Sequence, residues 1–374
     1  MPKTLSVTMI ALLLAGGACK KKQEPNAAPD TADPKVASGE SGQAGQTAAP
    51  AEKPATPDPA AAAPDKEATD KAAAAAEQKR KDAEEAAADL RKAQEESQVE
   101  IKRWTPDLHK KAAALAAKKF PSAKAALQAI VASPHRLPGN SKRDRYRHPV
   151  ETLTFFGIQP SMTVVEVGSG GGWYTELLAP LLTREGKLVA MTFDPKGSLD
   201  SERTVTAMRL QMFLGKSPEL FDKVSLAIVD PPRTIELGPP GSADLAVAAR
   251  EMHNWQRSGQ IDAYLAAVHS VLKDGGKFGV EQHRAAPGGK AEETAEKGYL
   301  PEEWLIKKVE AAGFKLEEKS EVNANPKDTK DYEQGVWTLP PTYALGDKDK
   351  AKYTAIGESD RMTLRFVKVA ASAK

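Results

Sequence analysis

Residues 164–180 read VVEVGSGGGWYTELLAP. The run 164–167 is β-branched apart from Glu166 and reads as a buried strand end. Glycines stand at 168, 170, 171 and 172, with Ser169 between them. A helical pattern begins at once and runs over 174–182. Strand, glycine loop and helix in this order open a βα unit. In an open α/β sheet, ligands bind beyond the carboxyl ends of the strands. The stretch therefore poses one question: which ligand needs a backbone without Cβ atoms at that edge.

Outward from this unit, strands and helices alternate. Strand patterns fall at 162–167, 187–193, 224–229, 243–249 and 277–282. Helical patterns fall at 150–156, 174–182, 201–214 and 259–272, the last with Ile261, Leu265, Val268 and Leu272 on one face. A helix over 301–312 has Pro301 at an early position and Gly313 as its stop. Strands at 314–322 and 362–369 close the chain with no helix pattern between them, so they pair antiparallel. The expectation is an α/β, Rossmann-like, doubly wound sheet of seven strands, mostly parallel, with an antiparallel last strand.

The glycines exclude two familiar loops. A phosphate-binding P-loop needs Gly-Lys-Ser/Thr, and Gly172 is followed by Trp173 and Tyr174. A dinucleotide fingerprint needs G-x-G-x-x-G, but counting from Gly168 or Gly170 puts Trp173 or Thr175 at its last position. What remains is Glu166-x-Gly168-x-Gly170-x-Gly172. Here the sequence resembles the class I S-adenosylmethionine-dependent methyltransferases, whose first motif is an acid followed by Gly-x-Gly-x-Gly. The resemblance covers about residues 140–370 and is carried by GIQPSMTVVEVGSGGGWYTELLAPLLTREGKLVA. It is greatest to a group of predicted methyltransferases, some with export signals. That group has an aromatic after the glycines, His-Asn-Trp after the fourth strand and His near the fifth. The matching residues here are Trp173 and Tyr174, then His253, Asn254 and Trp255, then His283.

The resemblance implies S-adenosylmethionine as cofactor, held by Glu166, Gly168, Ser169, Gly170 and Gly172. It also implies an acid at the end of the second strand that binds the ribose hydroxyls. By spacing that place falls on Thr192, and the acid is Asp194. Asp194 shares a strand face with Thr192 if the strand continues, and otherwise the ribose is held differently. Asp230, after the third strand, is either an adenine-contacting acid or a turn residue before two prolines. Methyl transfer is an in-line displacement, and the protein supplies mainly positioning and desolvation. His253 and His283, at the ligand edge, are the candidates for a base. Trp173, Tyr174, Asn254 and Trp255 are candidates for the acceptor pocket. Arg143, Arg145, Arg147 and His148 read as a solvated basic surface, or else as groups that bind an anionic acceptor.

The resulting function is methyl transfer from S-adenosylmethionine to a small-molecule acceptor. The alternatives are a non-catalytic envelope lipoprotein that binds a small molecule on the same fold, or a dinucleotide-dependent oxidoreductase. The 374 residues carry a net charge of +2, and no dense basic stripe points to nucleic acid. No metal site is expected. Two segments outside the α/β core are expected to close the pocket: the one before Val150 and the long connection over 323–361, with Tyr332, Trp337, Tyr343 and Tyr353.

The amino-terminal part differs in kind. Lys3, a short apolar run and the small residues Gly16, Gly17 and Ala18 precede Cys19, the chain's one cysteine. The run is shorter than the roughly 20 residues of a membrane span. Residues 1–19 read as a bacterial lipoprotein-like signal peptide, with Cys19 lipidated after export and the protein tied to a membrane of the cell envelope. The protein is cytoplasmic if the signal is not used. Residues 20–71 are rich in Ala, Pro and charge and read as a disordered linker. Residues 72–104 read as a charged, solvated spacer helix, and the methyltransferase-like domain occupies 105–374.

Overall fold

The computed structural model describes residues 66–370. The signal segment with Cys19 and the linker up to residue 65 lie outside the described residues. Among the described residues, no helix is long and apolar enough to cross a membrane.

Seven strands form one sheet: β1 (Thr163–Val167), β2 (Lys187–Thr192), β3 (Ser225–Ile228), β4 (Ala243–Ala249), β5 (Leu272–His283), β6 (Phe314–Ser320) and β7 (Arg361–Lys368). Their spatial order is β3-β2-β1-β4-β5-β7-β6. Strand β7 runs antiparallel to both β5 and β6, and the remaining neighbours are parallel. The order turns back between β1 and β4, and that reversal opens a crevice at their carboxyl ends.

Both faces of the sheet are covered, which is why β1 and β4 read as nearly continuous apolar runs. Alternation along β1 sends Val165 and Val167 to one side, where they join Ala246, Val280 and the helices Ile261–Val271 and Glu302–Ala311. Val164 faces the other side and packs with Leu188, Leu245 and the helix Thr175–Leu182. Glu166 shares the face of Val164, so its carboxyl is driven under that same helix.

Ahead of the sheet, Thr105 caps the helix Pro106–Ala117 by accepting from the Leu108 amide, and Ser122 caps Ala123–Val131 in the same way through Ala125. The charged helix begins inside the expected linker and runs over Lys66–Arg103. It is not a solvated spacer throughout. Its later half packs on the helix Glu202–Gly215, with Ala86 and Ala93 buried and Arg209 donating to the Asp89 carbonyl. Glu100 lies 3.4 Å from Lys216 and accepts from Trp104 Nε1 at 2.9 Å. Ala83, Ala86, Ala87, Leu90, Ala93 and Ser97 form the covered stripe at helical spacing. A search for large apolar side chains passes over a seam built from alanines.

Candidate functional site

A cleft of about 1340 Å³ lies at the carboxyl edge of the sheet, across the ends of β1, β2, β4 and β5. The glycine loop supplies its floor through Gly168, Ser169, Gly170 and Gly171. Gly168, at φ +93°, passes so close to Glu251 that a Cβ there would collide with that side chain. Gly172 does not line the cleft, which corrects its expected place against the ligand. Its missing Cβ makes room for the ring of Phe213, and Gly171 takes its place at the cleft.

Glu166 is 3% exposed and accepts from Thr175 Oγ1 at 2.6 Å. Glu251 follows β4 and is held only by a long 3.4 Å hydrogen bond from Asn254. Burial pushes both carboxyls up, each to about 7. Neither forms an ion pair with any described residue. Glu176, ten residues after Glu166, is just as deeply buried but fully served. It takes Arg136 at 2.7 Å, Lys216 at 3.2 Å, Asn140 at 3.1 Å and the Leu137 amide at 2.8 Å. A buried carboxyl without a counter-charge is costly unless something else supplies the charge. Glu202, in the first turn of the helix after β2, adds a third carboxyl to this side of the cleft.

The two acids expected at the second and third strands are elsewhere. Asp194 is exposed and accepts from the Lys196 amide at 2.9 Å, closing its own turn. The strand ends at Thr192 and the chain bends, so face-sharing does not carry on to residue 194. Thr192 and Phe193 line the cleft instead. Asp230 is also exposed, pairs with Arg233 and bridges to Thr234 in a turn outside the cleft. Its turn-residue reading holds.

The residues of the fourth and fifth strand ends do converge. His253, Asn254 and Trp255 lie on the short helix Met252–Arg257. His253 is buried, with its ring 5.5 Å from His283 and 5.9 Å from Trp337. Its Nδ1 rests against the Gln282 amide. His283 Nδ1 lies 2.5 Å from Ser359 Oγ. Burial holds His253 down at about 4 and His283 well below its ordinary value. Both rings are therefore neutral near pH 7. Trp255 stacks on Tyr264 at 4.6 Å and forms one wall.

Trp173 is buried and donates from Nε1 to the Asn140 carbonyl at 3.1 Å, and Tyr174 donates to Glu281 at 2.7 Å. Above them stand Arg143 and Arg147. They are not a solvated surface: both are bound to Glu358, and Arg147 is 3% exposed. Arg145 is exposed and His148 pairs with Asn323, both away from the cleft lining. Segment 323–361 contributes Val336, Trp337, Pro340, Thr342, Glu358 and Ser359. Both segments outside the α/β core thus lie along the cleft. Glu202, Glu251 and Arg250 were missed from sequence. Arg250 and Glu251 immediately precede Met252 and His253, and two opposite charges at the carboxyl end of a buried strand were the available signal.

By sequence, the chain matches no protein-family model and no curated protein. Among solved structures it is similar to an S-adenosylmethionine-dependent methyltransferase from Aquifex aeolicus, at 16% identity and TM-score 0.42, over 67% of this chain and 100% of that one. It is similar to the cyclase SpnF at 16% identity and TM-score 0.45, over 68% and 98% of the two chains. A third is the 1,6-didemethyltoxoflavin-N1-methyltransferase of Burkholderia thailandensis, solved with 1,6-didemethyltoxoflavin and S-adenosylhomocysteine bound, at 14% identity and TM-score 0.37, over 60% and 77% of the two chains.

Proposed function

We propose that the chain binds S-adenosylmethionine at the β1–β2 side of the cleft and transfers its methyl group to a small molecule. The supporting observation is the pair of carboxyls at the glycine loop, the buried Glu166 and the half-buried Glu251, neither of which forms an ion pair with a described residue. S-adenosylmethionine supplies an activated methyl on a sulfonium and carries an ammonium group as well. These residues fit such a ligand. Glu166 and Glu251 provide the missing negative charge, and Gly168, Ser169 and Gly170 allow close backbone approach. Glu202 and Thr192 line the cleft at the end of β2, where the resemblance implies the ribose acid.

On the acceptor side, His253 and His283 are neutral imidazoles able to take a proton from an incoming nucleophile. Trp173, Tyr174, Trp255 and Trp337 exclude water around them, while the exposed Asn254 stands at the rim. Titration calorimetry with S-adenosylmethionine and S-adenosylhomocysteine tests the reading. One saturable site for each is expected. Binding of neither would overturn it, and saturable binding of a nicotinamide dinucleotide instead would turn the reading to redox chemistry.

We also propose that export and lipidation of Cys19 tie this domain to a membrane. The support is the apolar run that ends in Gly16, Gly17 and Ala18 before the chain's single cysteine. Mass spectrometry of the native amino terminus decides it: a lipid-modified Cys19 is expected, and an intact Met1 sinks the idea.

A further inference from the structure

Four guanidiniums meet at the β5–β7 side of the cleft. Glu358 accepts from Arg143 Nε at 3.0 Å, from Arg147 Nε at 2.9 and 3.2 Å, and from Arg361 Nη1 at 2.6 Å. Glu281 accepts from Arg250 Nη1 at 2.9 Å and from Tyr174, and Arg361 Nε stands 2.9 Å from its other oxygen. Arg361 also donates to the Tyr146 carbonyl and is spent. The other three are not. Arg143 and Arg147 are each held only through Nε, and Arg250 side-chain bonding uses Nη1 alone. Their terminal guanidinium nitrogens other than Arg250 Nη1 have no side-chain or backbone acceptor among the described residues, and all three side chains line the cleft.

Four cations share two carboxylates, both nearly inaccessible to water, and the charges of Glu166 and Glu251 reach Arg250 as well. Arg147 and Arg361 are buried, whereas Arg143 and Arg250 are partly open towards the cleft. A guanidinium held by Nε presents its two terminal N–H groups as the fork that carboxylates and phosphates take in bidentate fashion. Ser359 and the neutral His283 beside it add short-range polar groups at the same place.

We infer that Arg143, Arg147 and Arg250 receive an oxyanion, a carboxylate or phosphate, carried by the methyl acceptor. The acceptor assignment rests on the methyl-transfer reading. The anion site does not. The proposed cationic ligand lies at the ends of β1, β2 and β4, by Glu166, Glu202 and Glu251. The arginines are anchored to β5, to β7 and to Glu358 just before β7. The two sites are therefore side by side along one cleft.

Calorimetric titrations with malonate and with inorganic phosphate, on the full chain with and without saturating S-adenosylhomocysteine, test this. Malonate or phosphate should bind in both conditions, and whichever binds more tightly names the source chemistry. Arg143→Gln should weaken that binding about tenfold or more. It should leave S-adenosylhomocysteine affinity within about twofold, the scatter expected for a residue outside that subsite. Arg143→Lys, which keeps the charge, should recover part of the loss and so separates anion binding from a folding defect. Failure of both anions to bind the wild-type chain at millimolar concentration overturns the inference. So does exclusion of the anion by S-adenosylhomocysteine together with loss of S-adenosylhomocysteine binding in Arg143→Gln, since the arginines would then hold the cofactor's own carboxylate. Anion binding by a wild-type chain that ignores S-adenosylhomocysteine would remove the cofactor reading and, with it, the acceptor assignment.

Discussion

The two sides of the cleft solve the burial of charge in opposite ways. At the ends of β1 and β4 stand two carboxyls, Glu166 and Glu251, that no described residue engages in an ion pair; burial pushes each up to about 7 against the pull of the nearby Arg250 charge. Over β5 and β7 stand guanidiniums that the protein anchors, with Glu281 and Glu358 distributed among four of them. The first side leaves its carboxyls without an ion-pair partner among the described residues. The second is a framework that holds itself and still has donors to spare. A buried charge is thus informative only through its partners, as Glu176 shows: it is as buried as Glu166, but Arg136 and Lys216 complete it.

The largest expected effect breaks the framework. Glu281→Gln removes the carboxylate that faces Arg250 and Arg361 and accepts from Tyr174. Leaving buried cations short of their partner costs about 3–5 kcal/mol, read as a lower urea midpoint at pH 7. Glu166→Gln should behave differently. At pH 8 the free protein should be no less stable than the wild type, because an uncompensated carboxylate has been replaced by a neutral group. Its affinity for S-adenosylmethionine should fall about tenfold or more, the loss of one charge-assisted contact. Equal destabilisation by the two substitutions would erase the distinction between framework and ligand charge.

The pH response sharpens the same contrast. For Glu166 and Glu251 the folded value lies above the ordinary 4.5. Their contribution to stability is therefore full below about pH 4.5 and declines as pH rises towards 7. His253, held at about 4 against an ordinary 6.5, has the opposite sign: its contribution is full above 6.5 and is lost as pH falls through 4. The two partly cancel, so the melting temperature is a poor reporter. Ligand affinity is a better one. A cationic ligand needs the carboxylates ionised, so S-adenosylmethionine should bind more tightly at pH 8 than at pH 6, by about tenfold for each carboxyl that titrates near 7. Calorimetry in buffers of different ionisation enthalpy should show protons released at pH 6. A flat profile would mean that Arg250 already keeps both groups ionised.

Most of the fold could be read in the sequence because its signals are local and repeated. Each parallel strand is a short apolar run, and each helix has its own apolar face, as with Ile261, Leu265 and Val268. The antiparallel pairing of β6 with β7 was expected from the lack of a helix pattern between them, although a short helix, Lys350–Ile356, does lie in that connection. The site was legible where backbone freedom marks it, at Gly168 and Gly170, and where the His-Asn-Trp run follows β4. It was not legible where contacts between distant segments decide the outcome. Arg143 and Arg147 read as surface because nothing near them in sequence says that Glu358, more than 200 residues away, accepts both. Gly172 read as a ligand glycine because its need for space comes from Phe213, on another helix.

The smallest expected effect concerns the ribose acid. Spacing falls on Thr192 and the nearby acid is Asp194, but the Asp194 carboxylate closes a turn onto the Lys196 amide and is exposed outside the cleft. Removing it costs one local hydrogen bond to an exposed amide, which water replaces. Asp194→Asn should therefore leave S-adenosylmethionine affinity within about twofold. Glu202→Gln should do more. This carboxyl lines the cleft beyond Thr192, beside the end of β2, and contributes to the negative field around Glu251. It is exposed, so its charge is screened, and a loss of roughly three- to tenfold is the scale for one such contact. Because a hydroxyl acceptor and a charge-sensing acid respond differently to salt, the Glu202 effect should shrink between 50 and 500 mM NaCl if it acts through its field, a salt range chosen to shorten the Debye length to roughly 4 Å. It should persist if Glu202 bonds the ribose directly. A large loss in Asp194→Asn with none in Glu202→Gln would return the ribose to the second-strand acid that the sequence first suggested, and would require the turn at 194–197 to open when the ligand binds.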